Sequence, residues 1–258
     1  MAETLITLQP LAIAFMGGLL PSLVWLWFWQ RQDRDCPEPT GLIILSFVAG
    51  MVVVYFVFPL QKLVFGAMPH IAPFVNGLAA QFSLSEFTID SIQITLWAFI
   101  EEFAKYATVF FIAFKSRSFN EPVDAIVYML TAALGFTAME NALYILKDLA
   151  HSGTIDTVLN SDLRFIGATL VHTVSSALVG IALALTFYAP RFVQLSAAFV
   201  GVLGATLLHA YFNLTIMNTN GTLSTLEVFS RFWIAIIVII ILIKIVKRVA
   251  TRTQTCPI

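Results

Sequence analysis

Charge is the scarcest commodity in this chain. Only 11% of its 258 residues are Asp, Glu, Lys or Arg, against about 25% in an ordinary soluble domain. So little charge cannot cover a water-soluble fold. With 59% hydrophobic residues and a mean hydropathy of +0.89, the chain reads as an integral membrane protein. Cysteine is nearly absent too. Cys36 and Cys256 are too few and too far apart for a disulfide framework or a zinc cluster. A net charge of −1, with no dense basic patch, argues against a nucleic-acid partner. Met1-Ala2-Glu3-Thr4 offers no basic flank before the first apolar run, so that run is expected to stay as a helix rather than leave as a signal peptide. Internal repeats and low-complexity tracts are not evident. Residues 1–258 are expected to form a single transmembrane domain.

What is present is a series of long apolar runs. A membrane span needs roughly 20 mostly apolar residues. Seven such runs are found, at about 9–30, 41–61, 90–114, 122–147, 164–188, 192–216 and 229–248. The expected fold is all-α: a polytopic membrane helix bundle of about seven transmembrane helices. The stretch Phe65–Glu86, broken by Pro69, Pro73 and Gly77, reads as an interfacial or partly re-entrant segment. Asn120-Glu121-Pro122 and Asn160-Ser161-Asp162 read as starts of the fourth and fifth spans. Asp124 suits the positive end of a helix dipole and is given a structural role. Lysine and arginine concentrate on one side (Arg31, Arg34, Lys115, Arg117, Arg191, Lys244, Lys247, Arg248, Arg252), which predicts N-out, C-in.

Against that background the polar residues inside the spans stand out. An ionisable group at bilayer depth costs roughly 2.5–3.5 kcal/mol on insertion scales and usually marks function. The third span carries Glu101, Glu102 and Lys105; the fourth carries Glu140 and Asn141; the fifth His172; the sixth His209 and Asn213. Counted from one end of the bundle, Glu101 and Glu102 lie about 11–12 residues in and the others about 7–8, all roughly 10–18 Å deep. Two of these helices run down and two run up, so the agreement predicts one shared polar site. Glu101 and Glu102 are four and three residues from Lys105, so either can be its partner. A buried carboxylate can act as general base toward water. Two histidines and a glutamate suffice for a catalytic zinc with an open position. An imidazole or an amide can instead donate to an oxyanion. Small residues (Gly201, Ala205, Ala168, Gly180) would let these helices approach closely.

Ile100-Glu101-Glu102-Phe103-Ala104-Lys105 and Gly135-Phe136-Thr137-Ala138-Met139-Glu140-Asn141-Ala142-Leu143-Tyr144, followed by Arg164…His172 and His209-x-x-x-Asn213, resemble the signature segments of PrsW-type intramembrane proteases. That family is a distant relative of the CAAX prenyl endopeptidases and bacteriocin-processing proteins. Glu140 stands where those relatives carry a histidine, which favours the PrsW branch. The resemblance covers about 97–216, within a catalytic core of about 90–216. It implies Glu101 and Glu102 as base and partner, Glu140, His172 and His209 as metal ligands or polarising groups, and Asn213 as an oxyanion donor. It implies a single-pass membrane protein or peptide of anti-sigma-factor type as substrate, cut in the outer half of the bilayer of a bacterial inner membrane. Zinc is the metal considered, and a metal-free glutamate mechanism stays open. A proton- or ion-coupled transporter is the competing function, since buried Glu–His chains also relay protons. A non-catalytic membrane scaffold is the third.

Overall fold

The computed structural model describes residues 2–31, 37–81, 88–152, 154–218 and 222–250. It contains seven α-helices in chain order: α1 Ala2–Gln30, α2 Thr40–Gln81, α3 Ile89–Ile112, α4 Pro122–Ser152, α5 Thr154–Leu185, α6 Arg191–Asn218 and α7 Thr222–Ala250. The all-α bundle expected from the apolar runs is what the chain forms. Six of the helices are long and apolar enough to cross a membrane. At 24 residues α3 has the length as well. It lacks the composition because Glu101, Glu102 and Lys105 fall in one run, and all three are buried. The charges that weaken its apolar signal face inward.

α4 is the axis of the bundle. Its apolar stretch is buried throughout, and α1, α2 and α5 pack around it most extensively. Close approach to α2 depends on two glycines. A Cβ on Gly50 would run into the Ala132 carbonyl, and one on Gly135 would run into the Phe47 carbonyl. The backbones therefore touch without side chains between them, which is how membrane helices gain packing contacts that lipid cannot match. Gly201 does the same for α6 against α5, where an added Cβ would lie 3.1 Å from that of Ala182.

Three local expectations change. The Phe65–Glu86 segment is not a broken re-entrant stretch as far as Gln81; it continues α2, which runs unbroken for 42 residues with Pro59, Pro69 and Pro73 inside it. Residues 82–87 lie outside the described part. A helix of that length spans about 63 Å, roughly twice the hydrocarbon core. Bilayer helices tolerate proline better than isolated ones do. Secondly, Asn160-Ser161-Asp162 does not open α5, which already begins at Thr154. The apolar run marks where the membrane portion starts, whereas the helix extends beyond it. Thirdly, α4 does start at Pro122, but its cap works backward. Asp124 Oδ2 accepts from the backbone N–H groups of Asn120 at 2.8 Å and Glu121 at 2.7 Å. This is the reciprocal half of a capping box, and it bears out the structural role given to Asp124.

Candidate active site

α3 positions three ionisable side chains within one and a half turns. Glu102 and Lys105 are fully buried, and Glu101 nearly so. Lys105 pairs with Glu102, at 2.7 Å between Nζ and Oε1. That settles which glutamate the lysine neutralises. The same Oε1 accepts from His209 Nδ1 at 2.8 Å, and Oε2 accepts from Ser176 Oγ at 3.3 Å. Glu102 is thus saturated by groups from α3, α5 and α6. Lys105 also donates to His172 Nδ1 at 2.7 Å and lies 4.6 Å above the Phe136 ring. A buried ion pair is tolerable only with such additional bonds.

Glu101, about 100° round the helix, has different surroundings. Its Oε1 accepts from Gln61 Nε2 of α2 at 2.8 Å. Its Oε2 is buried and has no hydrogen-bond partner among the described residues; His209 Nε2 lies 3.8 Å from it. With Nδ1 directed at the Glu102 carboxylate, Nε2 is the ring nitrogen left facing Glu101. His172 Nε2 meets Glu140 Oε2 at 2.9 Å. The two imidazoles stand edge to face, 4.9 Å between centroids.

This cluster borders a cavity of about 690 Å³. Glu101, Glu140, His172, His209 and Asn213 line it, among apolar walls that include Phe212 and Phe229. The shared depth read from the sequence is therefore realised: four helices deliver their polar groups to one hollow near one end of the bundle. Glu102 is not among the lining residues. Lys105 and Ser176 stand with it behind the histidines.

The remaining polar residues separate cleanly. Asn141 is fully buried, and neither side-chain atom has a hydrogen-bond partner among the described residues. Arg164 has no described side chain. Gln61 was missed in the sequence because it sits at the end of the second apolar run, next to Lys62, where a polar residue looks like a span boundary. No signal in the sequence marks it, because only the continuation of α2 to Gln81 brings Gln61 to the level of Glu101.

Residues 38–244 match the PrsW family of intramembrane metalloproteases. The chain belongs to this family. Among its relatives, the protease PrsW of Geobacillus kaustophilus is 29% identical over 132 residues, 51% of this chain and 52% of that protein. The protease PrsW of Oceanobacillus iheyensis is 29% identical over 135 residues, 51% of this chain and 54% of that protein. The corresponding protein of Bacillus subtilis is 25% identical over 130 residues, 50% and 52% of the two chains. The chain spans about half the length of the curated relatives it matches. No solved structure matches it.

The residues present include a donor set for the metal that the family description implies. Glu101, His172 and His209 each offer a ligand atom, all within 4.8 Å of one another. One carboxylate and two imidazoles are a known set for catalytic zinc. The orphaned Glu101 Oε2 and the free Nε2 of His209 are ready donors, and the His209–Glu102 bond is the outer contact that usually orients a ligating histidine. His172 fits less completely, since its two ring nitrogens are engaged by Lys105 and Glu140. The resemblance had placed Glu140 in the ligand set and Glu101 outside it; the atoms that converge include Glu101.

Proposed function

We propose that this protein is an intramembrane endopeptidase that hydrolyses a peptide bond of a single-pass, membrane-anchored regulator of anti-sigma-factor type. The observation that carries the reading is the convergence of Glu101, Glu140, His172, His209 and Asn213 on one cavity inside an apolar bundle. Water and a peptide carbonyl both need polar partners at that depth, and this cavity supplies them.

Glu101, His172 and His209 would hold the metal, with zinc the ion that suits the donors. Bound there, it supplies Lewis acidity toward water and the scissile carbonyl. Glu140 takes the proton from water and returns it to the leaving amide nitrogen. Its carboxylate lines the cavity; it and a metal would compete for His172 Nε2, so it would be released as the ion binds. This exchanges the roles that the family resemblance suggests for Glu101 and Glu140, and the reason is the unpartnered Glu101 Oε2 facing His209. Asn213 donates to the carbonyl oxygen as charge develops on it. Glu102 and Lys105 do not touch substrate; they hold the two imidazoles in place. The apolar walls of the cavity lower the local dielectric, which strengthens each of these interactions.

The bias of the basic residues supports a reading with the cavity end outside, N-out and C-in, in a bacterial inner membrane. Cleavage then falls in the outer half of the bilayer. The transporter reading has less support, because the bundle on the Pro122 side of α4 is filled by Ile126, Met129, Leu130 and Leu134, all buried.

The test compares new protein N-termini in membranes from cells making wild type, Glu140→Gln or Glu101→Gln. Termini near a membrane span that appear only with wild type are the expected result. Identical patterns from three folded, abundant proteins would overturn the reading and direct attention to ion flux across vesicles.

A further inference from the structure

Gln61 lies outside the motif segments and belongs to α2, a helix that contributes no ionisable group to the cluster. Yet it makes the only hydrogen bond recorded for the Glu101 carboxylate among the described residues, Nε2 to Oε1 at 2.8 Å. Its own backbone is held in turn. Trp97 Nε1, one turn before Glu101 on α3, donates to the Gln61 carbonyl at 3.1 Å. Below this point α2 is locked to α4 through the Gly50 and Gly135 contacts. The amide is therefore presented by a braced backbone rather than by a free side chain.

The consequence is geometric. A carboxylate has two equivalent oxygens, and rotation about its last bond exchanges them. Engaging Oε1 leaves Oε2 as the one that faces His209 Nε2. An ionised carboxylate only accepts, so the donor edge of the amide must face it. We infer that Gln61 is a positioning residue, which fixes the Glu101 carboxylate so that Oε2 is presented to the cavity, and that Trp97 fixes Gln61. The inference rests on the proposed hydrolase reading for its effect on rate, but not for its effect on structure.

Two measurements keep these apart. The first is a double-mutant cycle of thermal unfolding in detergent, using wild type, Gln61→Met, Glu101→Met and the pair. Gln61→Met lowers the melting temperature of the wild-type background, and the decrement disappears when Glu101 is already Met. Strict additivity would show that the two side chains are not coupled and would overturn the inference, whatever the protein catalyses. The second uses the membrane peptide whose cleavage requires Glu140, found by the N-terminal comparison above. Gln61→Met lowers kcat roughly 10–100-fold, the usual cost of losing such an orienting partner, while KM is little changed. Gln61→His, which keeps an N–H donor at similar reach, recovers most of the loss. An unchanged kcat, or a His variant no better than Met, would also overturn it. If no peptide is cleaved by wild type, the hydrolase reading fails and the unfolding cycle alone decides the role of Gln61.

Discussion

The cavity side of α3 and its sealed side each carry one glutamate, adjacent in sequence and about 100° apart around the helix. On the sealed side, Glu102 is surrounded by Lys105, His209 and Ser176. On the cavity side, Glu101 has one amide partner and a buried oxygen with none. The sealed group has its bonding capacity used to hold other side chains. The cavity group retains capacity for something that is not part of the chain. Two residues of one type, on one turn, are divided between framework and chemistry by which way the helix turns them.

The comparison can be broken most severely at the cavity. Replacing Glu140 or Glu101 by Gln should lower cleavage about 10³-fold, within the range for removing a general acid–base group, with the melting temperature nearly retained. Bound zinc separates the two: Glu101→Gln should lose it and Glu140→Gln should keep it. Metal analysis of the purified variants checks this, and the reverse pattern would restore Glu140 to the ligand set.

On the sealed side the loss should appear in stability. Glu102→Gln leaves Lys105 charged and unpaired, a change that costs about 3–5 kcal/mol when a buried pair loses one member. Unfolding in detergent measures it. Adding Lys105→Met should recover part of the loss, since no unpaired charge then remains. If Glu102→Gln melts like wild type, the sealed side is not the framework described here.

Smaller effects sharpen the division. Asn213→Ala should lower kcat about 10²-fold, the low end for one oxyanion donor, with stability unchanged in the same melting assay. A loss of stability with kcat intact would make Asn213 an interhelical bridge instead. Phe136→Leu removes the ring beneath Lys105 and should cost about 1 kcal/mol of stability. Because it acts through Lys105, that cost should shrink in the Lys105→Met background.

Much of this arrangement was legible beforehand. The apolar runs located all seven helices, because a span must satisfy every backbone group within itself and so must be a long helix. The common depth of Glu101, Glu140, His172 and His209 anticipated that they would line one cavity, because helical rise converts residue number directly into depth. The extent of α2 was not legible. Pro69 and Pro73 argue for a break in water, but inside a helix of a membrane bundle they were accommodated. Nor was Gln61, since a glutamine at the end of an apolar run is indistinguishable from the edge of a span.

Sequence by itself determined that this chain lives in a membrane, that it is helical, and that its ionisable groups share one level. Those properties follow from composition and from distance along single helices. The assignment of Lys105 to Glu102, the isolation of Glu101 Oε2 and the contact from α2 were decided only by tertiary structure. They depend on how each helix is rotated about its own axis and which helix lies beside it. That rotation is set by packing contacts such as Gly50 on Ala132 and Gly135 on Phe47, between residues that lie far apart in the chain.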